Sequence, residues 1–117
     1  MKMIKSFGFA FKGLVSAFRE QINLRIHLLA LTVVVALGFY CDISAWEWCV
    51  LILSVSLVFS LELINTAIEN LTDLVTREQN LLAGKVKDIS AAAVLVASIT
   101  SIIVGIIIFG KYLRLGL

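Results

Sequence analysis

The chain has 117 residues, 61% of them hydrophobic and 15% charged, whereas a soluble domain runs at roughly 45–50% apolar and about 25% charged. A bilayer crossing takes about 20 mostly apolar residues, so three spans and one surface helix consume nearly the whole chain and exclude most familiar soluble enzyme folds. Ten basic against eight acidic residues leave a net charge of +2, which provides no bulk electrostatic footprint for nucleic acid, and the absence of proline suits a few long helices.

Residues 1–25 read as a surface helix. Phe7, Phe11, Leu14, Phe18 and Ile22 fall within an arc of about 80° at helical spacing, with Lys5, Lys12 and Arg19 opposite them. An apolar face rich in Phe with cations behind it belongs in a membrane interface, or against the protein's own spans, or both. This start is too long and too charged for a cleavable secretory signal and is expected to be mature protein.

A first span is expected over 26–41, apolar except for His27 and Thr32. It is followed by Asp42, Trp46, Glu47 and Trp48, a short acidic and aromatic turn without Lys or Arg that suits the outer interface. The second span, 48–69, carries Glu62, Asn65 and Glu69 in its last third. Arg77, Glu78, Gln79, Asn80, Lys85, Lys87 and Asp88 then mark a polar connection before the third span, 89–109. Eight of the ten Lys and Arg fall before the first span or in this second connection, none in the first connection, and two, Lys111 and Arg114, at the C-terminal end. This bias places the N-terminus in the cytoplasm.

Ala97, Ser101 and Gly105 recur every fourth residue, a smooth strip for close approach of a helix from this chain or another copy. Cys41 and Cys49 are expected as buried free thiols in apolar helices, since no disulfide framework is visible.

The chemistry is concentrated in the second span and its continuation. Relative to Glu62, residues Asn65, Glu69 and Asp73 lie at +3, +7 and +11, on one helical stripe about 16 Å long. A carboxylate in a lipid-embedded helix costs on the order of 2.5–3.5 kcal/mol even on lenient scales, so such groups mark function unless they lie among the headgroups. Their oxygens suit Mg²⁺, which takes one or two carboxylates and completes its octahedron with phosphates and water. A second carboxylate along the stripe can act as a general base toward a hydroxyl from the bilayer, and Lys85 and Lys87 can meet phosphate oxygens. Phosphate-binding glycine loops are absent, and one histidine with two cysteines makes no zinc site.

Glu62-Leu-Ile-Asn65-Thr-Ala-Ile-Glu69 with Asp73, and Lys87-Asp88-Ile-Ser-Ala-Ala-Ala-Val-Leu95, supported by Phe11-Lys12-Gly13-Leu14 and Asn23-Leu-Arg25-Ile-His27-Leu, together resemble the bacterial diacylglycerol kinase family. These are small three-span membrane lipid kinases that include the undecaprenol kinases, and the resemblance covers nearly the full length. It implies an all-α homotrimeric membrane bundle, each protomer a single domain with an N-terminal surface helix, using ATP and Mg²⁺ to phosphorylate a lipid hydroxyl in sites shared between protomers. It implies Glu62 as catalytic base, Glu69 as metal ligand holding the nucleotide phosphates, and Lys87 and Asp88 as nucleotide contacts. Asn65, Asp73 and Glu78 match further polar positions of the nucleotide site, and Phe9 matches an aromatic nucleotide contact.

Where many members carry a second metal-binding Glu, this chain has Gln21, with Glu20 one residue earlier; a Gln oxygen can ligate Mg²⁺ but adds no charge. The common Glu-Tyr-His of the second connection appears as Glu78-Gln79-Asn80. The Asn-x-Arg-x-His segment, in which His27 carries no assigned role, is closer to the undecaprenol kinase type and tips the acceptor toward undecaprenol over diacylglycerol. The resemblance also implies residence in the bacterial cytoplasmic membrane. Two readings compete with the enzyme: a small proton or cation conductor lined by the acidic stripe, and a scaffold in which the acids pair with Lys87 and Arg77.

Overall fold

The computed structural model describes residues 1–113; Arg114, counted above at the C-terminal end, lies outside the described residues. Four α-helices follow one another: α1 (Lys2–Glu20), α2 (Ile22–Cys41), α3 (Ala45–Val75) and α4 (Leu81–Tyr112). The last three are each long and apolar enough to cross a bilayer. The architecture is therefore the expected all-α membrane fold, one N-terminal helix followed by three spans.

The helices run past the expected spans, α3 over Ala45–Val75 and α4 to Tyr112, and two of the shifted boundaries have identifiable reasons. Gln21 has extended backbone, φ −112° and ψ 111°, so α1 ends at Glu20 and α2 starts at Ile22 rather than near Ile26. The corner is held by Arg25, whose Nε and Nη2 donate to the carbonyls of Phe18 and Arg19 at 2.9 and 2.7 Å, satisfying acceptors that the helix end leaves free. At the second connection, Asn80 Oδ1 accepts from the backbone N–H groups of Leu82 and Ala83 at 2.8 and 3.2 Å, an N-cap that starts α4 at Leu81. Lys85, Lys87 and Asp88, read from sequence as connection, thus ride on the first turns of α4, and the connection shrinks to 76–80.

The tight turn between α2 and α3 is built by local chemistry. Asp42 closes α2 in the left-handed region at φ 51°. Ser44 Oγ accepts from the Glu47 N–H while Glu47 Oε1 accepts from the Ser44 N–H, at 3.2 and 3.0 Å, a reciprocal capping box. Gly38 lies under the Trp48 indole, where a Cβ would run into the ring. The acidic turn, which has no cation of its own, receives one from α4: Lys111 Nζ lies 2.7 Å from Glu47 Oε2, and the Tyr112 hydroxyl donates to Glu47 Oε1. With Lys111 first, Tyr112 next and the Ser44 N–H after them, these donors push the Glu47 carboxyl down to about 2. This cluster precedes the apolar run that begins at Trp48, beside a small core of Ile43, Leu51, Ile108 and Phe109.

Antiparallel α3 and α4 form the principal helix pair. Two hydrogen bonds strap them in a common register: Ser101 to Ser54 (Oγ to Oγ 2.7 Å), and Ser90 Oγ to Asn65 Oδ1 at 2.6 Å. The two serines on α4 are eleven residues apart, as are their partners on α3, about three turns in each case. Ser101 of the small-residue strip thus finds its partner within the same chain. Large apolar side chains elsewhere face outward, among them Leu29, Ile52, Leu53, Val96 and Ile107, as a span solvated by lipid requires.

The N-terminal helix divides its apolar face. Phe7, Phe11 and Leu14 are exposed, whereas Ala17 is buried and Phe18 packs against Phe59 of α3 with ring centroids 6.3 Å apart. An exposed apolar stretch and a stretch packed on the spans thus follow one another along α1. Cys41 and Cys49 are free, with Cys49 exposed on the bundle surface rather than buried.

Candidate active site

The acidic stripe of α3 falls where α1, α2 and α4 converge on its distal half. Glu62 is 1% exposed and Asn65 6% exposed, Glu69 is half-buried, and Asp73 is exposed one turn further along. Burial thus falls steadily along the stripe, from a desolvated carboxylate toward one in open solvent.

Glu62 is enclosed but incompletely bonded. Its Oε2 lies 3.9 Å from His27 Nε2 on α2, beyond hydrogen-bond reach, and its Oε1 is buried with no hydrogen-bond partner. His27 is braced edge-on by Phe59, 6.1 Å between centroids. An unpartnered buried carboxylate oxygen carries a desolvation penalty and keeps its capacity to accept a hydrogen bond.

Glu69 is held from two sides. Asn65 Nδ2 donates to Oε1 at 3.3 Å and Gln21 Nε2 donates to Oε2 at 3.4 Å. Glu20 is turned away from this point: its Oε2 accepts from Asn70 Nδ2 at 3.4 Å. Of the two residues that the sequence offered beside Glu69, Gln21 is therefore the one in place, because the extended backbone at Gln21 swings its side chain toward α3. Rotating either amide end for end presents an oxygen instead of an N–H₂ to the same spot.

These donors fit a hard dication: one carboxylate with the amides of Gln21 and Asn65 beside it, all oxygen-bearing. Among the described residues no three His, Cys, Asp or Glu side chains gather as a self-sufficient metal cage, so phosphate and water oxygens would complete the shell.

The outer group lines an open cleft of about 670 Å³ at the α3–α4 connection, where Asp73, Glu78, Lys85, Lys87 and Asp88 come together with Arg77. Lys87 Nζ donates to Asp73 Oδ1 at 2.6 Å, and the Glu78 N–H donates to Thr76 Oγ1 at 3.3 Å. Among the described residues Arg77 makes no ion pair within 4.0 Å, so of the two cations that the scaffold reading assigned to the acids only Lys87 is engaged. Phe9 is exposed on α1 with the Lys12 ammonium 5.9 Å from its ring centroid and does not line the cleft. The sequence-named residues thus form an inner pair of carboxylates with their amides and an outer cleft of mixed charge, with Asp73 following Glu69 by one helical turn.

Two members of the inner group escaped the residue-by-residue reading. His27 and Ser90 meet Glu62 and Asn65 only across helices, which spacing along a single element does not reveal.

A sequence model of the family described as Prokaryotic diacylglycerol kinase matches residues 8–109. Among curated proteins, the chain is 39% identical over 108 residues to the Undecaprenol kinase of Bacillus subtilis (strain 168), covering 92% of this chain and 88% of that protein. It is 35% identical over 102 residues to the Diacylglycerol kinase of Escherichia coli (strain K12), covering 87% and 84%. To the Diacylglycerol kinase of Haemophilus influenzae it is 33% identical over 108 residues, covering 92% of each. With its three apolar spans and an acidic stripe that starts at the buried Glu62, the chain belongs to the prokaryotic diacylglycerol kinase family and is a membrane-embedded lipid kinase.

Proposed function

We propose that the whole chain is one catalytic unit that transfers the γ-phosphate of ATP, with Mg²⁺, to the hydroxyl of a membrane lipid at the cytoplasmic face of a bacterial inner membrane. Undecaprenol is the favoured acceptor and diacylglycerol the second. The observation that carries this reading is the buried Glu62 carboxylate, with one oxygen unpartnered, two turns along α3 from the amide-flanked Glu69.

In this reading Glu62 accepts the hydroxyl proton as the lipid oxygen bonds to the γ-phosphorus and the bond to the β–γ bridging oxygen breaks, releasing ADP. Mg²⁺, when bound, neutralises charge on the phosphates. Glu69 and the Gln21 amide would hold it, and Asn65, Asp73, Glu78, Lys87 and Asp88 would hold the nucleotide. The Asp73 pairing keeps the Lys87 ammonium at the cleft, where a point charge can meet phosphate oxygens. The cytoplasmic N-terminus rests on the cation bias of the sequence, and the homotrimer with shared sites rests on the family resemblance. The undecaprenol preference rests on the Asn23 to His27 segment and on the 39% identity to a relative of that name.

A conductor is the weaker reading. Ser54 and Ser101, polar groups available toward the outer half of the bundle, are bonded to each other, which leaves them no role as a continuous path.

The test is γ-phosphate transfer from ATP and Mg²⁺ to undecaprenol and to diacylglycerol, side by side in mixed micelles, with Glu62→Gln as the blank. The expected result is phosphorylated undecaprenol, less phosphorylated diacylglycerol, and neither from the variant at a loss of about 10²-fold or more. Transfer to neither lipid by the wild type, or full activity in Glu62→Gln, would overturn the assignment.

A further inference from the structure

Among the described residues, the buried hydrogen bond from Ser90 Oγ to Asn65 Oδ1, at 2.6 Å, is the one point at which α4 reaches the inner group by a side-chain hydrogen bond. Asn65 in turn donates to Glu69 at 3.3 Å. Both Ser90 and Asn65 are at or below 9% exposed, so neither has free access to water as an alternative partner. The contact continues the register of the Ser54–Ser101 strap three turns away, so it is carried by the main helix pair and not by a loose side chain.

We propose that Ser90 is a positioning residue that anchors Asn65 beside Glu69 and thereby prepares the site for the cation and its nucleotide. The inference rests on the kinase reading of that site. A hydroxyl is suited to this task because it both donates and accepts. It holds Asn65 with the amide N–H₂ toward Glu69, as here, and it can hold the same side chain turned over, with the amide oxygen toward a cation and the N–H₂ toward Ser90. A one-way donor or acceptor would release Asn65 in one of the two states. Orientation of a ligating carboxylate by such outer partners is a recurrent determinant of metal affinity.

The experiment is calorimetric titration of a non-hydrolysable ATP analogue with Mg²⁺ into the full chain in detergent micelles, for wild type, Ser90→Ala, Ser90→Thr, Asn65→Ala and the Ser90→Ala/Asn65→Ala double variant. Ser90→Ala is expected to weaken binding about 10-fold, and Ser90→Thr, which keeps the hydroxyl, to bind nearly as wild type. The double variant should be no weaker than Asn65→Ala alone, because Ser90 acts through Asn65. In steady-state assays the KM for Mg·ATP should rise in Ser90→Ala while the KM for the lipid stays.

Undiminished binding in Ser90→Ala, a further loss in the double variant, or an equal rise in both KM values would overturn the proposal. Should Ser90→Ala elute as aggregate, failure of Ser90→Thr to bind would overturn it as well. No binding by well-folded wild type would instead overturn the kinase-site reading on which the proposal stands.

Discussion

Gln21 donates to Glu69 across 48 positions of the chain, Nε2 to Oε2 at 3.4 Å, and this contact joins the break between α1 and α2 to the acidic stripe of α3. It exists because Gln21 is the one residue between those helices with extended backbone, while Glu20, still helical, is spent on Asn70.

Gln21→Glu is expected to lower the Mg²⁺ concentration needed for half-maximal transfer by about 10-fold, since a second carboxylate adds charge beside Glu69. Glu20→Gln should leave that midpoint unchanged. A Mg²⁺ titration of the two variants beside wild type checks both, and a shift in Glu20→Gln alone would reverse the assignment.

Lys87→Met should raise the KM for Mg·ATP about 10-fold or more, as a lost charge-assisted phosphate contact does, yet barely alter stability. The Asp73–Lys87 pair is substantially exposed on both sides, and such pairs contribute at most about 1 kcal/mol. Kinetics and thermal unfolding on one preparation separate the two effects.

Gly38→Ala drives a methyl into the Trp48 ring and is expected to cost about 1–3 kcal/mol by overpacking. Trp48→Leu, which vacates the ring position, should make the same glycine substitution close to neutral. Chemical unfolding in mixed micelles, followed by helical circular dichroism across this cycle, measures the coupling.

Glu47 joins α3 to the end of α4 through Lys111 and Tyr112, and its carboxyl is pushed down to about 2 from 4.5. A depressed folded-state value means that the stabilisation is complete above the unfolded value and is lost as pH falls through the folded one. The unfolding midpoint of wild type should therefore exceed that of Lys111→Ala by a constant amount from pH 8 to pH 5, with the gap closing as pH falls from 4.5 toward 2. A gap that instead widens with acid would remove Lys111 as the cause.

Much of this protein is legible along the chain. Apolar runs of bilayer length specify spans because lipid cannot satisfy an open backbone. The 3.6-residue period puts Glu62, Asn65, Glu69 and Asp73 on one face whatever else the chain does, and the amphipathic N-terminus is readable for the same reason. The helix ends were less legible: Asn80 starts α4 ahead of Lys85 and Lys87, since a single side-chain cap outweighs the polarity of the residues that follow it.

The pairing of groups from different helices was decided in three dimensions. No spacing rule predicts that His27 faces Glu62, that Ser90 holds Asn65, or that Gln21 rather than Glu20 meets Glu69. Those contacts depend on the crossing of α1 and α2 and on the register of α3 against α4. Packing and one extended residue set both, and helical periodicity, a property of each helix alone, carries no information about either.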